Sequence, residues 1–137
     1  MAKILIVDDD PLLSNMYRTK FELDGNTVFI ANDGKECVSK AKSETPDLIL
    51  MDVMMPIMNG LEALRELKKD QKTKKIPVVM LTNVSSSEAE ENEGLELGAV
   101  AYLVKSDYTP KEIVQKVKEI LGATVHELPE VKVKIKG

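Results

Sequence analysis

The chain has 137 residues, a formal net charge of −4 and a single cysteine, Cys37. That length fits one domain with a real hydrophobic core and needs no disulfide, and Cys37 alone can form none within the chain. A mildly acidic balance with both signs interspersed speaks against nucleic-acid binding driven by bulk charge, and no window is long and apolar enough for a secretory signal or a membrane span.

The expectation is a soluble cytoplasmic protein with no membrane association and no direct nucleic-acid contact. Taken in chain order, the first apolar run is residues 4–7, ended by Asp8, Asp9 and Asp10. Asp10-Pro11 then places a cap before a first-turn proline. Leu13, Met16, Tyr17 and Phe21 follow at helical spacing. The second run, 28–30, ends in Asn32-Asp33, and Cys37, Val38 and Ala41 share a helical stripe, with Cys37 as a small buried hydrophobe. The third run, 48–51, ends in Asp52. Leu61, Leu64 and Leu67 continue as a helix. Met54, Met55 and Met58 in between look like flexible packing near a surface.

The fourth run, 78–81, ends in Thr82. The segment 85–97 has the weakest helical pattern: Ala89, Leu95 and Leu97 make no clean stripe, and five glutamates lie between positions 88 and 96. Ser87 with Glu90 is a capping-box candidate there. This helix should be the least firmly packed and the easiest to shift. The fifth run, 100–104, ends in Lys105. Thr109-Pro110-Lys111-Glu112 adds a capping box, and Ile113, Val117, Ile120 and Leu121 make the last helical stripe. Gly25, Gly34, Gly60 and Gly122 sit where elements should stop or turn.

Runs that are apolar throughout suit strands buried on both faces. Strand then helix, five times over, predicts an α/β fold: a doubly wound, five-stranded parallel sheet with right-handed crossovers, over residues 1–122. Residues 123–137 form a tail. In it Val131, Val133 and Ile135 alternate with lysines, and an extra strand, a docking arm, a linker stub and a poorly ordered terminus all fit. His126 there reads as an ordinary exposed residue.

Ligand sites in open α/β sheets lie beyond the carboxyl ends of the strands. If the first and third strands are central neighbours, Asp8, Asp9 and Asp52 converge. Three carboxylates that close raise each other's pKa unless a positive charge sits among them. Mg²⁺ meets that need: it takes oxygen ligands and readily adds phosphate oxygens. Lys105 supplies a fixed positive charge and Thr82 a hydroxyl. The set suits phosphoryl transfer to a carboxylate, with Asp52 as nucleophile.

At these residues the chain resembles the receiver domains of two-component response regulators, including chemotaxis receivers. The matching stretches are Lys-Ile-Leu-Ile-Val-Asp-Asp-Asp at 3–10, Pro-Asp-Leu-Ile-Leu-Met-Asp-Val-Met-Met-Pro-Ile-Met-Asn-Gly at 46–60, Pro-Val-Val-Met-Leu-Thr at 77–82 and Gly-Ala-Val-Ala-Tyr-Leu-Val-Lys at 98–105. The resemblance implies a flavodoxin-like strand order, 2-1-3-4-5. It implies that Asp52 takes a phosphoryl group from a sensor histidine kinase or a histidine phosphotransfer protein. Asp9, Asp52 and the carbonyl of Met54 would ligate Mg²⁺, with Asp8 acting mostly through a water. Lys105 and Thr82 would bind the phosphoryl oxygens, and Tyr102 would swing into the space Thr82 leaves.

The change would bias the surface made by the 85–97 helix, the fifth strand and the last helix toward a downstream protein or a phosphorylation-dependent homodimer. Such a chain is a switch with slow self-dephosphorylation, not an enzyme. Two positions depart from the family pattern: Ser106 replaces the usual proline, and Asn83 a smaller residue. Two other functions fit less well. An aspartate-nucleophile phosphatase carries a second aspartate two residues after the first, where Met54 stands. A nucleotide or flavin binder wants a glycine-rich loop where Asp8-Asp9-Asp10-Pro11 stands.

Overall fold

The computed structural model describes residues 2–82, 88–124 and 133–134. Strands β1 (Lys3–Val7), β2 (Thr27–Ala31), β3 (Leu48–Asp52), β4 (Val78–Thr82) and β5 (Ala101–Val104) alternate with helices α1 (Pro11–Leu23), α2 (Gly34–Glu44), α3 (Gly60–Lys69), α4 (Glu88–Glu96) and α5 (Pro110–Thr124). The five strands are parallel in the order 2-1-3-4-5, as expected. A short sixth strand, β6 (Val133–Lys134), pairs with β5, so of the roles open to the tail these two residues take the extra strand.

Burial explains the apolar runs. Every residue of β3, β4 and β5 is buried, because helices cover both faces of the sheet. One face packs Leu5, Val7, Ile49, Met51, Val78 and Met80 against α2, α3 and α4. The other packs Ile4, Ile6, Leu48, Leu50, Val79 and Leu103 against Tyr17 and Phe21 of α1 and Ile113, Val114 and Val117 of α5. Each fully buried Leu or Ile contributes about 1.5–3 kcal/mol of transfer free energy. The buried polar residues among those described are Asp8, Ser14, Asp52, Thr73 and Thr82. Three of these five stand where β1, β3 and β4 end, so the one place where polar groups are buried together is the site.

The helix starts follow from local chemistry. The Asp10 carboxylate accepts the Leu12 amide at 3.0 Å, with Pro11 opening α1. Thr109 and Glu112 exchange the predicted capping-box bonds at 2.8 and 3.2 Å. Asn59 and Glu62 form a second box. The Ser87–Glu90 candidate lies outside the described residues, as do Asn83 and His126. Gly122 does not end α5, which runs on to Thr124. Of the α4 side chains that are described, Leu95 is the one buried apolar group, in keeping with the thin stripe in its sequence.

Candidate functional site

Parallel strands carry their last residues to the same rim. Asp8 and Asp9 follow β1, Asp52 ends β3, Thr82 ends β4 and Lys105 follows β5. The register sets Val7 beside Met51 and Asp52 beside Leu81, and this brings the carboxylates together. One oxygen from each of Asp8, Asp9 and Asp52 lies within 4.8 Å of the others. Asp8 and Asp52 are buried and Asp9 is exposed. The Lys105 amine stands 3.1 Å from Asp8 Oδ2 and 3.8 Å from Asp52 Oδ2.

Asp8 is held on both sides. Its Oδ1 accepts the Asp10 amide at 2.9 Å, and its Oδ2 takes Lys105. Buried Ser14 donates to its backbone carbonyl at 3.4 Å. Asp52 has looser partners: Oδ1 accepts the Met54 amide at 3.3 Å, and Oδ2 faces Lys105. Burial pushes the Asp52 carboxyl up to about 6; Lys105 opposes that rise, the charge on Asp8 adds to it, the Met54 amide opposes it, and Asp9 adds a little more. Burial also pushes the Tyr17 phenol up to about 12, helped by the charges on Asp8 and Asp52.

With all three acids ionised, one lysine leaves two negative charges uncompensated in a partly buried cluster. Two like charges about 4 Å apart cost on the order of 4 kcal/mol at an effective dielectric near 20. A divalent cation with oxygen ligands removes that repulsion, so the donor set fits a hard metal ion such as Mg²⁺.

The remaining sequence-predicted residues fall as follows. Thr82 is buried at the end of β4, beside Val104. Tyr102 is buried in this conformation, with its ring beside Gly94 of α4, where an added Cβ would come within 3.1 Å. Met54 is exposed. Asn32 and Asp33 lie outside the cluster and serve α2: Asp33 accepts the Glu36 amide and Asn32 donates to the Glu36 carboxylate. Ser106 sits in a short 3₁₀ turn, Lys105–Asp107, and among the described residues no peptide bond is cis.

Two supports were not legible as such in the sequence. Gly60 packs its Cα so tightly that an added Cβ would meet the Asp52 carbonyl at 2.3 Å, and its amide donates to Val53 at 2.8 Å. Gly34 approaches the Met58 carbonyl equally closely and donates to it at 3.0 Å. Together they clamp the loop after Asp52. A glycine in a sequence signals a turn as readily as a close approach, so only the fold separates the two.

Residues 4–118 match the response regulator receiver domain family. The alkaline phosphatase synthesis transcriptional regulatory protein PhoP of Bacillus subtilis is 40% identical over 119 residues, which are 87% of this chain and 48% of that protein. The transcriptional regulatory protein CpxR of Escherichia coli is 40% identical over 121 residues, 88% of this chain and 50% of that protein. The chain thus spans about half the length of these relatives. Among solved structures, a CheY-like response regulator receiver domain protein from Methanospirillum hungatei superposes with a TM-score of 0.84 at 31% identity, covering 93% of this chain and 99% of that one. Chemotaxis protein CheY4 of Vibrio cholerae gives 0.80 at 32% identity, covering 88% and 98%. In none of the described helices is there a stretch long and apolar enough to cross a membrane.

Proposed function

Because the chain belongs to the response regulator receiver domain family, we propose that it is a phosphorylation switch whose acceptor is Asp52. The observation that carries this reading is the position of the Asp52 carboxylate, set between a lysine and two further acids at the rim of the sheet. An oxygen of Asp52 attacks the phosphorus of a phosphohistidine on a sensor histidine kinase or histidine phosphotransfer protein. The P–N bond breaks, and its electron pair stays with the imidazole, which takes up a proton.

Asp9, Asp52 and the Met54 carbonyl would hold Mg²⁺, with Asp8, whose two oxygens already have partners, acting through a water. Bound there, the ion would offset the charge of the acids and of the incoming phosphoryl oxygens. Asp52 must be ionised to attack, and the metal site and Lys105 favour that form. Lys105 turns from Asp8 toward the phosphoryl oxygens, and the Thr82 hydroxyl donates to one of them. Tyr102 and α4 then adjust, and the α4–β5–α5 face takes up its second arrangement. The receiver unit, expected to end at residue 122, runs on with α5 to Thr124, and the tail is 125–137.

Leu12, Met54 and Ile57 are exposed in the segments that follow Asp10 and Asp52 in the chain, which suits an apolar contact with a protein donor. The readout is a downstream protein or a phosphorylation-dependent homodimer. The names of the transcriptional regulators to which the chain is similar amend the expectation of no nucleic acid. In any longer protein of their kind, we place DNA contact in the half that this chain does not match. A hydrolase reading has less support, since Met54 stands where an acid/base aspartate would be needed.

Incubation with a small acyl phosphate and Mg²⁺, followed by intact mass, tests the assignment. One added phosphoryl group is expected on the wild type and none on Asp52→Asn. Equal labelling of the two would remove Asp52 as acceptor.

A further inference from the structure

The outer edge of β5 is filled by β6, with Val133 opposite Ala101 and Lys134 opposite Tyr102. β6 also lies against α4. The Val100 amide donates to Val78, next to β4. Alternation along β5 therefore turns the amides of Tyr102 and Val104 toward β4 and those of Ala101 and Leu103 toward β6.

The path of the chain makes this strand unusual. From β1 to β2 it moves toward one edge of the sheet through α1. From β2 to β3, β3 to β4 and β4 to β5 it moves the other way, through α2, α3 and α4 on the opposite face. Those four crossovers share one hand. The step from β5 to β6 moves in the second direction, but its helix, α5, lies on the face of α1. It therefore has the opposite hand, which roughly 2% of parallel crossovers show. A strand of two residues joined by the disfavoured hand is held weakly, and it is seated on the two elements that enclose Tyr102.

We propose that β6 is a detachable edge strand: it caps β5 and α4 in the unphosphorylated arrangement and is released when Asp52 is phosphorylated. The release rests on the reading of Asp52 as acceptor; the cap does not. The coupling runs through Tyr102, which pairs with Lys134 in register and has its ring on Gly94 of α4. A rearrangement of Tyr102 or α4 alters the seat of β6. By linkage, a docked β6 holds back that rearrangement by the same factor. An exposed strand edge is an association hazard, so the released state frees β5 for a partner only when the switch is set.

Amide hydrogen exchange tests this in three chains: the full chain, a chain ending at Thr124, and the full chain carrying Lys134→Pro, which removes the β6 amide that faces β5. In both altered chains the Ala101 and Leu103 amides are expected to exchange at least tenfold faster. The amides of Ile49 and Val79, in the sheet centre, stay unchanged and report an intact fold. Acyl phosphate with Mg²⁺ should produce the same acceleration in the full chain, in step with the mass of labelled Asp52.

Unchanged Ala101 and Leu103 exchange in both altered chains would overturn the cap. Equal protection in full chain shown to be labelled would overturn the release. Protection that grows with protein concentration would place the strand in a second copy and overturn the proposal as stated. No label on Asp52, with edge amides still uncovered by truncation, would sink the phosphoryl reading and the release together while the cap stands.

Discussion

The Lys105 amine bridges two buried carboxylates, 3.1 Å from Asp8 and 3.8 Å from Asp52. Its side chain is 10% exposed, so it is the nearest counter-charge in a place where water screens poorly. Removing one partner of a buried pair leaves the other charge uncompensated, at about 3 kcal/mol. Lys105→Met keeps the chain length and drops the charge. Without divalent cations it should lower unfolding free energy by about that amount at pH 8, and by less at pH 5, where Asp52 takes a proton. Urea titrations at the two pH values check this, and an equal loss at both would show that the charge on Asp52 is not what the lysine offsets, leaving Asp8 or packing. Labelling by a small acyl phosphate should also fall sharply.

Asp52 gives the pH dependence its sign. Its pKa is raised from 3.8 to about 6, chiefly by burial. An acid with a folded-state pKa above its unfolded one binds its proton more tightly when folded. Its contribution to stability is fully present below pH 3.8 and is lost as the pH rises through 6, by about 3 kcal/mol for a shift near two units. Asp52→Asn, neutral at every pH, should therefore be more stable than wild type by about 1–3 kcal/mol at pH 7.5 in chelator. It should show little of the wild type's slope between pH 4 and 6. Adding Mg²⁺ should stabilise the wild type and leave Asp52→Asn nearly where it was. Thermal melts with and without Mg²⁺ read all three, and a wild-type melt indifferent to pH across that window would count against the shift.

Ile57 breaks a local rule in full view of solvent. It is 80% exposed, it has a φ of 69°, and the Met58 amide closes a three-residue turn around it onto the Pro56 carbonyl at 2.7 Å. A β-branched residue there is strained by about 1–2 kcal/mol. Ile57→Gly should relieve the strain and, after the greater freedom of the unfolded glycine, gain about 0.5 kcal/mol. If exposed Ile57 contacts a protein donor, transfer from a histidine kinase or phosphotransfer protein should slow severalfold while labelling by a small acyl phosphate stays unchanged. Equal slowing with both donors would assign Ile57 to the geometry of the loop instead.

Much of this was readable in the sequence because it is local or because it repeats. The buried strands appear as unbroken apolar runs, since a parallel sheet covered on both faces leaves them no polar side. Asp10, Thr109 and Glu112 carry their capping chemistry within one helical turn. The rim residues Asp8, Asp52, Thr82 and Lys105 are legible because each directly follows one of the apolar runs. Other features depend on contacts between distant segments. The close approaches at Gly34 and Gly60 need the folded loop, the field of Asp8 and Asp52 at Tyr17 needs α1 laid on the sheet, and the hand of the step to β6 needs the face on which α5 packs. Gly122 misled for the converse reason, since a glycine with open space around it can sit inside a helix as well as end one.

Gly60 and Gly122 form a matched pair for the last prediction. Both are helical, and alanine is favoured over glycine inside a helix by about 1 kcal/mol. At Gly122 an added Cβ meets nothing within 4 Å. Gly122→Ala should therefore stabilise the chain by about 0.5–1 kcal/mol and leave labelling of Asp52 unchanged. At Gly60 the same methyl would stand 2.3 Å from the Asp52 carbonyl oxygen and 2.9 Å from the Val53 Cα. Backbone on both sides of the clash cannot turn away as a flexible side chain would, so α3 or the end of β3 must shift. Gly60→Ala should cost about 2–3 kcal/mol in spite of the better helix propensity. It should also move the Asp52 carboxylate out of register with Asp9 and Lys105, weakening Mg²⁺ binding and phosphoryl uptake together. Denaturation midpoints and labelling rates of the two variants, measured side by side, decide it; a Gly60→Ala chain that labels as fast as wild type would show that the acceptor does not depend on that close approach.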